Sequence, residues 1–310
     1  MDTEGEPVAE LALVVHAPPA PSLLDTCLSS CIQFNVEQMP VYLVVSAEDY
    51  ETAFEHWGDQ VSVLDDPHLS RSDLTWLQRR AISRLEPTLI RAKSLIAVGG
   101  DVRFIRPLVS SDFLAADGHP FEFASEEAEL RVDPSFRETL ESAHSTGEAQ
   151  MRELLGVTAW PLRRSRSLLT MSTVQIRALG RFLADRGMSI EDAVRMWSDE
   201  LDWYSAWTQR DLGAQSRVRE PLVKQVSTSG QLLSTMVQRQ SDVDLARGYV
   251  AVAGEFSRRI PASDARDLPS VAALVGRNVT IRTLLSAASL RLLRRAPRVQ
   301  RALSWMKSGF

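Results

Sequence analysis

The chain has 310 residues, of which 44% are hydrophobic and 24% are charged, so it is long enough to form a large globular domain with an appendage. Its formal net charge of -5 argues against nucleic-acid binding along the whole chain. No apolar run approaches the roughly 20 residues that span a bilayer, and the acidic start of the chain is unlike a signal peptide. The two cysteines, Cys27 and Cys31, have a spacing typical of one helix face rather than of a redox motif. These features predict a cytoplasmic protein, or one that is peripheral on the inner side of a membrane.

Short apolar segments alternate with amphipathic segments over the first third of the chain. Strands are predicted at residues 11–15, 41–45, 61–64 and 94–98. Helices are predicted between them, at residues 22–35, 50–57 and 74–91, with Pro87 breaking the last one near its end. This alternation predicts a parallel sheet with crossover helices, as in nucleotide-binding α/β proteins.

The alternating pattern weakens beyond Pro107. Helices are predicted at residues 134–155, 173–186 and 190–210, with a late strand at residues 168–171. From residue 213 onward, strand signals are few and helical periodicity prevails. We therefore expect an α/β domain over residues 1–212 and a helical C-terminal region over residues 213–310.

The strongest sign of a binding site lies within residues 94–107. A buried strand ends there at Gly99 and Gly100, which let the backbone turn closely past a neighbour, and Asp101 follows at once. Open α/β sheets bind their ligands at such strand ends. The alternative interpretation of Asp101 is a turn residue that caps a loop.

Three motifs occur within residues 10–212. Val-Arg-Phe-Ile-Arg-Pro follows Asp101, residues 75–80 read Thr-Trp-Leu-Gln-Arg-Arg, and residues 199–204 read Asp-Glu-Leu-Asp-Trp-Tyr. Together they resemble a divergent bacterial family with a GT-A glycosyltransferase-like fold, catalogued as a domain of unknown function. The resemblance implies a Rossmann-type mixed sheet flanked by helices. It also implies sugar transfer from a nucleotide-sugar to a glycan or lipid-linked acceptor, as in bacterial surface polysaccharide synthesis.

The same resemblance implies roles for individual residues. Asp101 would lie beside the donor diphosphate and a divalent metal ion, and Glu200 would be the catalytic acid or base on the acceptor side. The donor-binding candidates are His16, Asp49, Trp76, Arg79, Arg80, Gly100 and Arg103. The acceptor-side candidates are the aromatic residues Trp203 and Tyr204, whose faces are suited to stacking on a sugar.

One departure from the family pattern concerns the metal. Gly99 stands where the family has the first of two carboxylates that bind Mn²⁺ or Mg²⁺. Three alternatives follow. Asp101 holds an ion together with water and phosphate, or arginines replace the ion (Arg79, Arg80, Arg103 or Arg106), or the protein binds a nucleotide-sugar or a partner protein without catalysis.

Structural interpretations stand beside the functional ones for several candidates. Glu200 also has the interpretation of a solvent-facing charge, and Trp203 with Tyr204 that of a packed helix face. Asp49 has the position of a helix cap, and His16 that of a surface loop residue.

The charge distribution singles out residues 277–310. This segment has eight basic residues and no acidic one, so the remainder of the chain carries -13. Basic residues interspersed with leucines and Trp305 predict association with an anionic membrane surface. The alternatives are packing against the acidic remainder of the chain or binding an acidic partner; we expect no nucleic acid to bind.

Overall fold

The structure, a computed structural model, describes residues 8–17, 21–123, 146–157, 167–212, 218–219, 221–226, 245–246 and 248–254. The basic segment 277–310 and the first part of the helix predicted at residues 134–155 lie outside the described residues.

The helices and strands follow each other in the order that the sequence pattern predicts over the first hundred residues. The strands are β1 (Ala9–His16), β2 (Val41–Val45), β3 (Ser62–Asp65), β4 (Ala92–Val98), β5 (Val102–Phe104), β6 (Glu122–Phe123), β7 (Leu168–Ser172), β8 (Val218–Arg219), β9 (Val223–Gln225) and β10 (Ala251–Ala253). The helices are α1 (Pro21–Phe34), α2 (Tyr50–Trp57), α3 (Trp76–Leu85), α4 (Ser110–Phe113), α5 (Thr146–Leu155), α6 (Thr173–Ala184), α7 (Ile190–Met196) and α8 (Glu200–Leu212), with a 3₁₀ turn at Pro67–Ser70.

The central sheet has five strands in the order β3-β2-β1-β4-β7. The first four are parallel, and β7 runs antiparallel to β4. The chain therefore builds outward from β1 to β3 and then returns to place β4 on the other side of β1. This is a mixed α/β, Rossmann-like fold with helices on both faces of the sheet, as the sequence predicts.

Both faces of the sheet are buried, which explains the continuous apolar runs in its strands. Side chains alternate along a strand, so Leu13 and Val15 of β1 pack in one core with α1, whereas Val14 packs in the opposite core with α8. A third cluster joins α3, α5, α6, α7 and α8 to one another. His16, two residues after Val14 at the end of β1, has its side chain on the same face of the sheet as Val14, where it contacts α3.

A second sheet has three strands in the order β5-β10-β9. Its inward-facing side chains, including Phe104 and Ala251, join the core formed with α1. Residues 218–219, 223–225 and 251–253, which lie beyond Leu212, form strands that the sequence pattern does not predict. The strands are short, and their pairing partners are distant in sequence, so they leave little periodicity to detect.

Two predicted helices have different limits in the structure. The helix expected at residues 190–210 is divided into α7 and α8, because Trp197 is extended and the Asp199 carboxylate accepts the backbone N–H of Leu201 at 3.1 Å. Helix α3 begins at a capping box formed by Thr75 and Gln78 and ends before Pro87. Within the described part of the chain, no helix combines the length and apolarity needed to cross a membrane.

Candidate functional site

Polar side chains gather where the strand order reverses between β1 and β4. His16 is the last residue of β1, and Asp101 follows the end of β4. Helix α3 contributes Arg80 and Arg84, and the first residue of α8 is Glu200. We call these five residues the polar cluster. In open α/β sheets, the carboxyl ends of the strands at such a reversal are where ligands bind.

His16 is a buried, neutral member of the polar cluster. Its Nδ1 accepts a long hydrogen bond from Arg84 Nε at 3.4 Å, because a guanidinium can only donate. Its Nε2 therefore carries the proton and donates to Ser83 Oγ at 3.0 Å. Burial, together with the charges of Arg84 and Arg80, holds the pKa of His16 well below its usual value. The surface-loop interpretation of His16 is therefore wrong.

Glu200 is the shared partner of two arginines. Arg84 Nη1 donates to Glu200 Oε1 at 2.6 Å, and Arg80 Nη2 lies 3.2 Å from the same oxygen. Burial lowers the pKa of Arg84 to about 10, with the opposing charge of Glu200 limiting the fall, so Arg84 stays charged at neutral pH. Burial alone would raise the pKa of Glu200, but the charges of Arg84 and Arg80 outweigh it and hold this pKa below its usual value.

This environment corrects both interpretations of Glu200. The residue is 3% exposed, so it is not a solvent-facing charge and has no open face towards an acceptor hydroxyl. Its lowered pKa also makes it a weak base. Glu200 instead positions Arg80 and Arg84 at the strand ends.

Asp101 lies partly buried between β4 and β5. Burial raises its pKa, although its own backbone N–H, the backbone N–H of Gly254 and the charges of Arg80 and Arg84 act in the opposite direction. Asp101 is thus the one carboxylate of the polar cluster whose pKa is moved towards the neutral range, as a proton acceptor requires.

Gly99 makes room for the Asp101 carboxylate. A Cβ atom at Gly99 would lie 2.6 Å from Asp101 Oδ1 and 3.4 Å from the carbonyl oxygen of Ser167. A second carboxylate at this position would displace Asp101 rather than join it. Any side chain at Gly99 would therefore require the Asp101 carboxylate to shift.

The side chains around Asp101 do not fit the divalent metal site that the family resemblance implies. In the described ranges, no group of three His, Cys, Asp or Glu side chains is placed to hold an ion. Two backbone N–H groups already bind the Asp101 carboxylate, and Arg80 and Arg84 already pair with the Glu200 carboxylate. Positive charge at the polar cluster comes from Arg80 and Arg84.

The other predicted donor-binding residues are not brought into the polar cluster. Arg79 Nη1 donates to the carbonyl of Leu69 at 2.6 Å, and its guanidinium carbon lies 5.9 Å from the centre of the half-buried Trp76 ring. Asp49 is exposed; it holds the N-cap position of α2, yet its carboxylate accepts from Ser46 Oγ at 2.7 Å and caps no backbone N–H.

Three more candidates lie after β4, and none of them joins the polar cluster. Gly100 is buried in the turn between β4 and β5, and Arg103 is partly buried in the second sheet opposite Val252. Arg106 makes a two-pronged ion pair with Asp112, both contacts being 2.9 Å.

The aromatic candidates on the acceptor side are core residues. Trp203 is fully buried and donates from Nε1 to the carbonyl of Trp197 at 2.8 Å. Tyr204 is 1% exposed, and its hydroxyl accepts the backbone N–H of Ser172 at 2.8 Å. Neither ring offers a face to a sugar, so the packed helix face is the correct interpretation.

Three residues near the strand ends were missed by sequence reasoning. Ser83 and Arg84 contact His16, and Cys27 of α1 donates from Sγ to the carbonyl of Gly99 at 3.6 Å. A signal was present for Arg84, because it lies one helical turn after Arg80 and next to apolar positions of α3. Ser83 and Cys27 carry no comparable signal.

Comparison with models of known protein families and with curated proteins gives no match for this chain. The geometry of the polar cluster and its place in the sheet are therefore the best indications of function.

Proposed function

We propose that the protein is a glycosyltransferase that takes a sugar from a nucleotide-sugar and transfers it to a glycan or lipid-linked acceptor. The observation that carries the proposal is the polar cluster at the carboxyl ends of β1 and β4. It places two arginines and a carboxylate of raised pKa where Rossmann-like sheets bind nucleotides. The motif resemblance around Asp101 supports the same function.

In the proposed reaction, Asp101 is the catalytic carboxylate. The acceptor hydroxyl oxygen forms a bond to the anomeric carbon of the donor, and the bond from that carbon to the diphosphate oxygen breaks. The hydroxyl proton passes to Asp101, whose raised pKa suits it to this task. The nucleoside diphosphate leaves with the bonding electron pair, stabilised by the positive charge of the arginines.

A second candidate function is the binding of a nucleotide-sugar or a partner without catalysis. Gly99 replaces a carboxylate of the family motif, and the side chains around Asp101 do not form a metal site. A protein that binds a nucleotide-sugar or a partner without catalysis is consistent with that departure.

A thermal-shift screen of the full chain against UDP-, GDP-, dTDP- and ADP-sugars tests the proposal. A ligand at about one hundred times its Kd stabilises a protein by about 2.7 kcal/mol, which is a rise in Tm on the order of 5 °C or more. We expect such a rise for one nucleotide class. No rise with any of them would exclude donor binding, and a rise without release of nucleoside diphosphate would favour the non-catalytic function.

The basic segment 277–310 suggests that the protein works at a membrane surface. We propose that its eight basic residues hold the protein at an anionic membrane surface, where a lipid-linked acceptor would lie. Flotation of the full chain with anionic vesicles, compared with neutral vesicles, tests this. We expect binding to the anionic vesicles that falls as salt is raised, and equal binding to both would contradict the proposal.

A further inference from the structure

We infer that Arg80 binds the donor diphosphate directly, in place of the divalent cation that the family resemblance implies. This inference rests on the proposed function. It assigns a specific residue, and a metal-independent mode of binding, to the same site.

Arg80 lies closer to the start of α3 than Arg84 does. A crossover helix runs antiparallel to the strands it connects, so the start of α3 lies beyond their carboxyl ends. Arg84 is level with the end of β4, since its Nη2 lies 3.5 Å from the carbonyl oxygen of Val98. The backbone of Arg80 comes four residues earlier, about 6 Å further out along the helix axis. Its side chain is accordingly 22% exposed, against 1% for Arg84.

The two arginines differ in how closely they bind Glu200. Arg84 holds Glu200 Oε1 at 2.6 Å, whereas Arg80 reaches the same oxygen at 3.2 Å. Glu200 therefore keeps a close partner when Arg80 turns to another anion. The Nε atom of Arg80 is buried and has no hydrogen-bond partner in the described part of the chain. A phosphate oxygen pair fits the fork of a guanidinium, and it would engage this donor when the Arg80 side chain turns away from Glu200.

The surroundings of Asp101 favour a metal-independent site. A second carboxylate at Gly99 would require Asp101 to shift, and the N–H groups of Asp101 and Gly254 bind the Asp101 carboxylate in its present position. The role of a metal ion at a diphosphate is to neutralise its charge. Arg80 is held by Glu200, which Arg84 also binds, and it supplies a positive charge at the same strand ends.

Isothermal titration with UDP, GDP, ADP and dTDP tests the inference, in excess EDTA and in Mn²⁺. We expect one of these to bind the full chain in EDTA, with an affinity that Mn²⁺ changes less than about threefold. Arg80→Gln removes a charge-assisted hydrogen bond, so it should weaken that binding by roughly 10- to 100-fold. Arg80→Lys keeps the charge without the planar fork and should give an intermediate loss.

The control is Arg195→Gln, which removes the same charge from the exposed surface of α7 and should leave affinity unchanged. Circular dichroism of each variant verifies that it is folded. Binding that requires Mn²⁺, or binding that Arg80→Gln does not weaken, would overturn the inference and leave the proposed function standing. Binding of none of the four nucleotides under either condition would overturn both.

Discussion

Replacing the carboxylate of Glu200 by an amide, Glu200→Gln, leaves the buried Arg84 without its counter-ion and removes a partner of the partly exposed Arg80. Glu200 Oε1 is the shared acceptor of Arg84 at 2.6 Å and Arg80 at 3.2 Å, and the Arg84 side chain is 1% exposed. Removing one partner of a buried ion pair costs about 3–5 kcal/mol, because the remaining charge stays desolvated. We expect Glu200→Gln to lower the free energy of unfolding by that amount, measured by urea denaturation at pH 7 with the slope m unchanged.

Glu191→Gln is the matched control. Glu191 also binds two arginines, Arg71 at 3.1 Å and Arg195 at 2.8 Å, but its side chain is 32% exposed. Water can solvate the arginines that it leaves, so the loss of stability should be much smaller. If Glu200→Gln lowers the free energy of unfolding no more than Glu191→Gln does, Glu200 does not form a buried ion pair with Arg84.

Three further predictions concern single positions. His16 has a lowered pKa, so the histidine of the unfolded chain is protonated first as pH falls through about 6.5. Between pH 7 and pH 5, the free energy of unfolding should therefore fall by up to about 2 kcal/mol more in the wild type than in His16→Gln. Equal losses in denaturation experiments at the two pH values would contradict a neutral His16. Gly99→Ala should displace the Asp101 carboxylate and slow the release of nucleoside diphosphate by at least about tenfold, while the donor still raises the Tm. Gly180→Ala places its new Cβ in the interior of α6 with nothing within 4 Å, so it should raise stability by about 0.5–1 kcal/mol and release the diphosphate at the wild-type rate; the reverse pattern would refute the steric argument. Tyr204→Phe leaves a backbone N–H without its acceptor, so thermal denaturation should report a loss of about 1–2 kcal/mol, and no loss would show that water replaces the hydroxyl.

The central sheet could be predicted because its signals are local. Strand β2 and helix α2 have the predicted limits, Val41–Val45 and Tyr50–Trp57, and β4 needs only two further residues at its start. Buried parallel strands are continuous apolar runs, and the helices between them are amphipathic, so both appear in any short window of sequence. The α/β class and the place of Asp101 at a strand end followed from these windows.

The second sheet and the polar cluster depend on contacts between distant parts of the chain. Strand β10 pairs with β5 although about 150 residues separate them, and three-residue strands show no detectable alternation. Glu200 meets Arg84 across 116 positions. A sequence gives the types of these residues but not their pairing, so Glu200 could be predicted as a site residue while its role was wrong.

The aromatic residues of α8 also have a role that the sequence alone does not decide. Trp203 and Tyr204 are polar enough at one edge to suggest a sugar platform and apolar enough to fill a core. Their hydrogen bonds to backbone groups of Trp197 and Ser172 decide in favour of the core. The helical spacing alone is compatible with either.

The central claim is that the polar cluster supports sugar transfer with Asp101 as the catalytic carboxylate. Its most direct test is the release of nucleoside diphosphate from the nucleotide-sugar that raises the Tm of the full chain. We expect the wild type to release it, and Asp101→Asn to do so about 10²–10⁴ times more slowly while still binding the donor. Equal rates for the wild type and Asp101→Asn, or no release by the wild type from any donor that it binds, would contradict the account.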